Sequence, residues 1–289
     1  MKKLTFIMLI VTGVFFLGLG GIAKPLLADT TDVNHAERGV YLNIMASNKS
    51  EYYMLNALTK GEHNIEYMFS NEKNNEEYKP TEEAEENVSN MNLFFYAGNN
   101  YEPWANEFIS NLNRNEVGVI DLSRGIGSKQ YTIDGNKKGN PYYWTGPNEY
   151  QIILYNAKSA LQEKDPANRS FYEENYNDMI KSMNETLSGF NKVQSKCKNK
   201  PVFLTRNNDF EYLLSDLGIN YIVVPENISF NDYMEQNNLK EKNIFVIQNS
   251  TDKEAVKGIP VIKLQLENEN MGYLELLQNN INNLENAYK

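Results

Sequence analysis

Apolar and polar positions follow two periods along this chain, and its longest helical pattern lies near the middle. From Ser170 to Lys198, residues Tyr172, Tyr176, Met179, Ile180, Met183, Leu187, Phe190 and Val193 recur by threes and fours. That spacing predicts one helix with a single apolar stripe, and Glu, Asn and Lys on its other face. Ser170 with Glu173 has the pattern of a capping box, and Asp165-Pro166 stops any helix before it. At 1.5 Å per residue such a helix reaches roughly 40 Å. Runs rich in β-branched and aromatic residues lie on both sides of it. Val40–Met45, Leu93–Tyr96 and Val117–Leu122 come before, and Val202–Leu204, Tyr221–Val224, Ile244–Ile247 and Val261–Leu264 come after.

Helical patterns separate these strands. Ser50–Leu58, Thr81–Ser89, Trp104–Leu112 and Asn148–Gln162 read as helices in the first half, with a further strand at His63–Phe69. Phe210–Leu217, Phe230–Asn237, Lys253–Lys257 and Tyr273–Tyr288 read as helices in the second, and Gly127–Gly139 reads as irregular. Strand and helix alternating in this way imply βαβ units and parallel sheets. The expected fold is therefore α/β, two lobes, each a mostly parallel sheet flanked by helices, joined by one long rigid helix. The boundaries fall at 40–165 for the first lobe, 166–199 for the linking helix and 200–289 for the second lobe.

The N-terminus adds a leader. Lys2-Lys3 precede an apolar run from Leu4 to Ala23, followed by Lys24-Pro25. Residues 1–28 read as a signal peptide cut after Ala23 or Ala28, or as an uncleaved anchor, since about 20 apolar residues span a bilayer. Residues 29–39 are a polar lead-in. The single cysteine is Cys197, so no cysteine follows the leader; the expected localisation is secreted or cell-surface, with no lipoprotein cysteine. One thiol makes no internal disulfide, and Cys197 reads as structural. The formal charge of −10 over 289 residues argues against nucleic acid as a partner.

Several motifs, in order, carry a family resemblance. They are Tyr96-Ala97-Gly98-Asn99-Asn100-Tyr101-Glu102-Pro103-Trp104, Ser123-Arg124-Gly125-Ile126, Asn140-Pro141-Tyr142-Tyr143-Trp144 leading to Pro147-Asn148, and Asp165-Pro166-Ala167-Asn168. The final helix, Tyr273 through Asn280 to Leu284, completes the set. Together they resemble the extracytoplasmic solute-binding proteins of zinc and manganese ABC transporters. The resemblance implies two lobes with a metal held between them by three histidines and a carboxylate, delivered as a monomer to an ABC permease.

The ligand positions that the resemblance implies are all substituted. The first histidine falls at Glu76, the second at Tyr142 and the third at Asn207; the carboxylate falls at Gln265, with Glu267 close by. The chain has two histidines, His35 and His63, which read as solvent-exposed and outside any site. A three-histidine zinc site cannot be built from two. Glu76 and Glu267 as oxygen ligands would be acceptable to Mn²⁺, Ca²⁺ or Mg²⁺, with weak binding expected; the divalent cation left open is Mn, Zn or Ca, with Glu76 the best single metal candidate. Alternatively the cleft takes a small polar organic solute, or nothing, its side chains closing the lobes by hydrogen bonds.

Other residues invite chemistry less. Glu102 at a helix start is favoured by the helix dipole in any protein, and Trp104 and Trp144 read as packing. Asp121 and Ser123 end a strand but have no histidine base, and no glycine-rich phosphate loop or nucleophile elbow occurs. The chain is thus expected to be no enzyme but a transporter's solute-binding component with a degenerate site. The alternative is a non-transporting surface protein using the same fold for adhesion or regulation.

Overall fold

The computed structural model describes residues 39–69, 75, 77–98, 101–113, 116–133, 136–198, 200–239 and 243–289. The leader, His35 and Glu76 lie outside the described residues. In the first half, β1 (Asn43–Asn48), α1 (Lys49–Thr59), β2 (Asn64–Phe69), α2 (Glu82–Ser89), β3 (Leu93–Tyr96), α3 (Ala105–Asn111) and β4 (Gly118–Asp121) alternate. The four strands form a sheet of order β2-β1-β3-β4, parallel throughout. A hairpin of β5 (Gln130–Ile133) and β6 (Asn136–Gly139) leads to α4 (Pro147–Lys164) and then to α5 (Arg169–Lys196). Beyond α5 come β7 (Val202–Thr205), α6 (Glu211–Asp216), β8 (Tyr221–Val223), α7 (Phe230–Gln236), β9 (Ile244–Asn249), β10 (Val261–Leu264) and α8 (Tyr273–Glu285). Their sheet, β10-β9-β7-β8, is also parallel.

Alternation along each strand explains how the lobes are welded. In β1, Ile44 and Ala46 point to the central core, whereas Met45 points to an outer core under α3 with Phe94 and Phe108. In the second sheet, Phe203 and Ile247 face the centre, while Leu204 and Val246 pack outward with Phe230 and Met234. Both inner faces meet one continuous core through α4, α5 and α8. Side chains on successive strand positions take opposite faces, so a helix layer on each side buries both. The 28 residues of α5 run about 42 Å, with Tyr172, Met183 and Phe190 fully buried along its stripe. Among the described residues no helix is long and apolar enough to cross a membrane.

Several expectations need correction. The ladder begins at Asn43 and not at Val40, because Val40 and Tyr41 are exposed and only from Asn43 does the chain pair with β2. No capping box starts α5: Asn168 is the cap residue, without a side-chain cap bond, and Glu173 turns to Lys158 Nζ at 2.7 Å instead. Lys253–Lys257 is not a helix; Glu254 is held by the Arg206 guanidinium at 2.6 Å, and the segment has too short an apolar stripe to bury one. The stretch Gly127–Gly139, expected to be irregular, contains the β5–β6 hairpin, whose Asp134-Gly135 dipeptide is a known hairpin signal.

His63 is not solvent-exposed. It is buried, with Nε2 2.6 Å from the Tyr172 hydroxyl, and Nδ1 accepts from the Leu42 amide at 3.4 Å. An accepting Nδ1 places the proton of the neutral ring on Nε2, so Tyr172 in turn donates to Asp165 Oδ2 at 2.7 Å. Asn168 donates to the same oxygen at 2.7 Å. Burial pushes the His63 pKa below its ordinary value, against the opposing pull of the Asp165 charge.

Candidate functional site

The first sheet reverses its order between β1 and β3, and in parallel sheets ligands gather beyond the strand carboxyl ends at such a point. Here β1 delivers Ser47 and Asn48, and α1 begins at once. Asn48 caps α1, its Oδ1 accepting from the Glu51 amide at 3.0 Å, and the Glu51 carboxylate bends back to the Ser47 amide at 2.9 Å. The exit of β3 supplies Ala97 and Gly98, whose amides donate to Glu102 Oε1 and Oε2 at 2.8 and 2.9 Å. Gly98 has φ +75° and a Cβ there would lie 2.1 Å from Asp121 Oδ1, so the turn requires glycine. The carboxylate of Glu102 braces this loop from within. Its burial thus has a local cause beyond any helix dipole.

Ser47 joins the two acids. Its Oγ lies 2.6 Å from Glu102 Oε1 and 3.0 Å from Glu51 Oε2, and all three side chains are buried. Loss of water raises the pKa of Glu102 to about 7, against the hydrogen bonds from Ser47, Ala97 and Gly98 that favour its ionised form. Burial raises Glu51 well above the ordinary carboxylate range, and the neighbouring Glu102 charge raises it further. At neutral pH the pair therefore retains a proton. With that proton on Glu51 Oε2, Glu51 donates to Ser47 Oγ, and Ser47 donates to Glu102. The remaining oxygen, Glu51 Oε1, is buried without a hydrogen-bond partner among the described residues.

Glu51 lines a cavity of about 50 Å³ between the lobes, open to solvent on one side. Aromatic rings make its walls: Tyr101, Tyr143, Trp144, Tyr150 and Tyr273. Tyr150 and Tyr273 stack 3.5 Å apart at 13°, which ties α4 to α8. Tyr143 donates to the Ala97 carbonyl, and its own pKa is raised by burial and by the Glu102 and Glu51 charges. Trp144, half-buried, meets the Tyr101 ring edge-on at 4.5 Å and donates from Nε1 to the Leu266 carbonyl at 3.0 Å. It both packs, as expected, and lines the pocket. Glu267 and Met271, in the exit of β10, complete the wall from the second lobe; Glu267 Oε2 is 3.5 Å from the Tyr101 hydroxyl.

Of the expected ligand positions, Glu267 lines this pocket, while Tyr142, Asn207 and Gln265 do not. Their loops do converge: Asn140 donates to the Asn208 carbonyl at 2.7 Å, and Trp144 reaches Leu266. The side chains themselves serve local bonds. Asn207 Oδ1 accepts from the Asp209 amide at 3.2 Å, and Gln265 Oε1 accepts from Asn268 at 3.2 Å. The Tyr142 ring packs on Trp144 at 5.6 Å. Ser123 donates to Asp121 at 2.7 Å, a closed local turn with no reaching base. Among the described residues no three His, Cys, Asp or Glu side chains are grouped to hold a metal ion. No motif in the sequence marks Ser47 or Glu51 as site residues. The signal available was a glutamate three residues past a capping asparagine, directly after the strand at the reversal point.

Comparison with known proteins places this architecture. A family model described as "Zinc-uptake complex component A periplasmic" matches residues 44–287. The high-affinity zinc uptake system protein ZnuA of Bacillus subtilis is 18% identical over 198 residues, covering 65% of this chain and 62% of that protein. The manganese ABC transporter substrate-binding lipoprotein PsaA of Streptococcus anginosus is 27% identical over 154 residues, covering 50% of this chain and 48% of its own length. The chain thus spans about half to two thirds of the length of the curated relatives it matches. Among solved structures, the metal-dependent lipoprotein YcdH of Bacillus subtilis superposes with TM-score 0.69 at 18% identity, over 86% of this chain and 99% of that one. The likeness at this identity concerns the fold, and it agrees with two parallel-sheet lobes around a long helix.

These names correct one expectation. Relatives from several streptococci and from Lactococcus lactis are named substrate-binding lipoproteins, so a secreted or surface protein set apart by lacking a lipoprotein cysteine is withdrawn. That expectation rested on the position of one residue, Cys197, which caps the end of α5.

Proposed function

Because the chain belongs to the zinc-uptake complex component A periplasmic family, we propose that it is the solute-binding component of a zinc/manganese-type ABC transporter with an altered ligand site between its lobes. It presents a small ligand to a permease and acts by binding, not by catalysis. The observation that carries this reading is the pocket itself: it draws walls from both lobes at the strand carboxyl ends, where closure of one lobe on the other would enclose a solute. The inter-lobe donors do not suit a zinc or manganese cargo. Tyr142, Asn207 and Gln265 are neutral, and the only described histidine is spent on Tyr172. Among the described lining residues the carboxylates are Glu51 and Glu267, fewer than a hard cation's site uses. The charge of −10 supports a partner other than nucleic acid, and the protein works as a monomer.

The test is functional coupling. A permease and ATPase encoded beside this chain, reconstituted in liposomes, should hydrolyse ATP faster when the purified protein is added. Absence of such a neighbouring pair, or an unchanged rate of hydrolysis, would contradict the proposal.

A further inference from the structure

The pocket is unlike a metal site in three ways, and each bears on what it binds. Its surface is mainly carbon, contributed by five aromatic rings together with Met54, Leu122 and Ile153. Its charged side chains are two: Glu51, buried, with Asn48 and Ser50 beside it on the first lobe, and Glu267, half-buried, on the second. The Glu51 Oε1 atom faces no hydrogen-bond donor among the described residues, although its twin oxygen accepts from the Ser47 amide. A buried acceptor without a donor is unfavourable, and a bound donor would relieve that cost. Aromatic faces attract cations within about 6 Å of the ring, and a carboxyl end group attracts them further.

From these observations we infer that the pocket binds a small organic ammonium ion with an apolar body, its N–H donating to Glu51 Oε1 and its charge lying against the tyrosine and tryptophan rings. This rests on the solute-binding reading and names its ligand class. The acceptor end selects a primary or secondary ammonium over a quaternary one, since only the former carries an N–H. A neutral alcohol of the same shape fills the walls but brings no charge to the acid or the rings. A divalent ion meets carbon on most sides and too few oxygen ligands. A cavity of about 50 Å³ limits the enclosed part of the ligand to a few heavy atoms.

The inference is tested with the full chain, stripped of metal, by calorimetric titration and by Trp144 fluorescence. The probes are a series of primary ammonium ions from methylammonium to phenethylammonium, their matched alcohols, benzyltrimethylammonium, and Zn²⁺ and Mn²⁺. The expected result is saturable binding of at least one primary ammonium, at least tenfold tighter than its alcohol and than the trimethylated analogue. Binding of the cation releases the proton that the acid pair holds and leaves Glu51 ionised; Glu51→Gln keeps the shape of the protonated acid but cannot release it, and should weaken that ammonium at least tenfold, abolish the proton release seen by titration in two buffers, and leave the alcohol unchanged. Should this variant fail to fold, Trp144→Phe, which weakens the cation–ring attraction, should weaken the ammonium selectively. If no ammonium binds at 10 mM, the inference is overturned; permease-coupled ATP hydrolysis then tells whether the solute-binding reading survives it. Equal binding of alcohol and ammonium also overturns it but leaves an organic solute in the pocket. Binding of Zn²⁺ or Mn²⁺ alone overturns both the inference and the altered ligand site.

Discussion

Glu51 and Glu102 reach one another through a single hydroxyl, Ser47 Oγ, at 3.0 and 2.6 Å, at the point where the first sheet reverses its strand order. A strand end, a helix start and a loop thus meet on two buried acids at the base of the inter-lobe pocket.

This pair makes stability depend on pH. Both folded-state pKa values are raised, that of Glu102 to about 7, so the folded chain holds more protons than the unfolded one as pH rises above about 4.5. The stabilisation is complete below the ordinary carboxylate range and is lost as pH rises toward 7. Urea unfolding of Glu51→Gln across pH 4–8 should show a flatter profile over that interval and a variant more stable than wild type at pH 8 by on the order of 1–3 kcal/mol. A slope identical to wild type would sink the pair as its cause.

His63 acts in the opposite sense. Its folded pKa is lowered, so the unfolded chain takes up the proton first, and stability declines as pH falls below about 6.5. Tyr172→Phe should cost about 1–3 kcal/mol at neutral pH, because it strips a donor from buried Asp165 and a partner from His63. A cost below ~0.5 kcal/mol would show that the three-residue chain contributes little.

The linking helix is one continuous element. Met183 is fully buried near its middle, and Met183→Pro should destabilise by about 3 kcal/mol or more through the lost backbone bond and the clash with the preceding turn. Near-wild-type unfolding by denaturant would refute the helix.

Gly98→Ala should perturb the site as well as the fold. A Cβ there meets Asp121 at 2.1 Å and the backbone has positive φ, so the variant should lose roughly 1–3 kcal/mol and loosen the amides that hold Glu102. Chemical-shift changes confined to residue 98 would contradict that coupling.

How much of this was legible in the sequence differs between fold and site. The strand at Leu93–Tyr96 and the stripe through Met179, Met183 and Phe190 were readable because burial imposes strict periods on the residues that face the core. The β5–β6 hairpin was hidden because polar composition outweighed a short alternation. His63 was misread because a polar residue after a turn looks exposed, and only the long-range contact with Tyr172, 109 residues away, makes it core. The site was least legible for the same reason. Ser47, Glu51 and Glu102 are brought together by β1 pairing with β3, a relation that no local window of sequence contains. Tyr142, Asn207 and Gln265 lie on loops that converge; Asn207 and Gln265 make local side-chain bonds and the Tyr142 ring packs on Trp144.

The most direct test of the altered site is thermal unfolding of metal-stripped protein from Asp29 onward, with Zn²⁺, Mn²⁺ and Ca²⁺ titrated separately. A ligand at 100 times its dissociation constant stabilises by about 2.7 kcal/mol, a readily measured shift. The account predicts no saturable shift with any of the three cations. A saturable rise with Zn²⁺ or Mn²⁺ would contradict it and return a metal to the cleft.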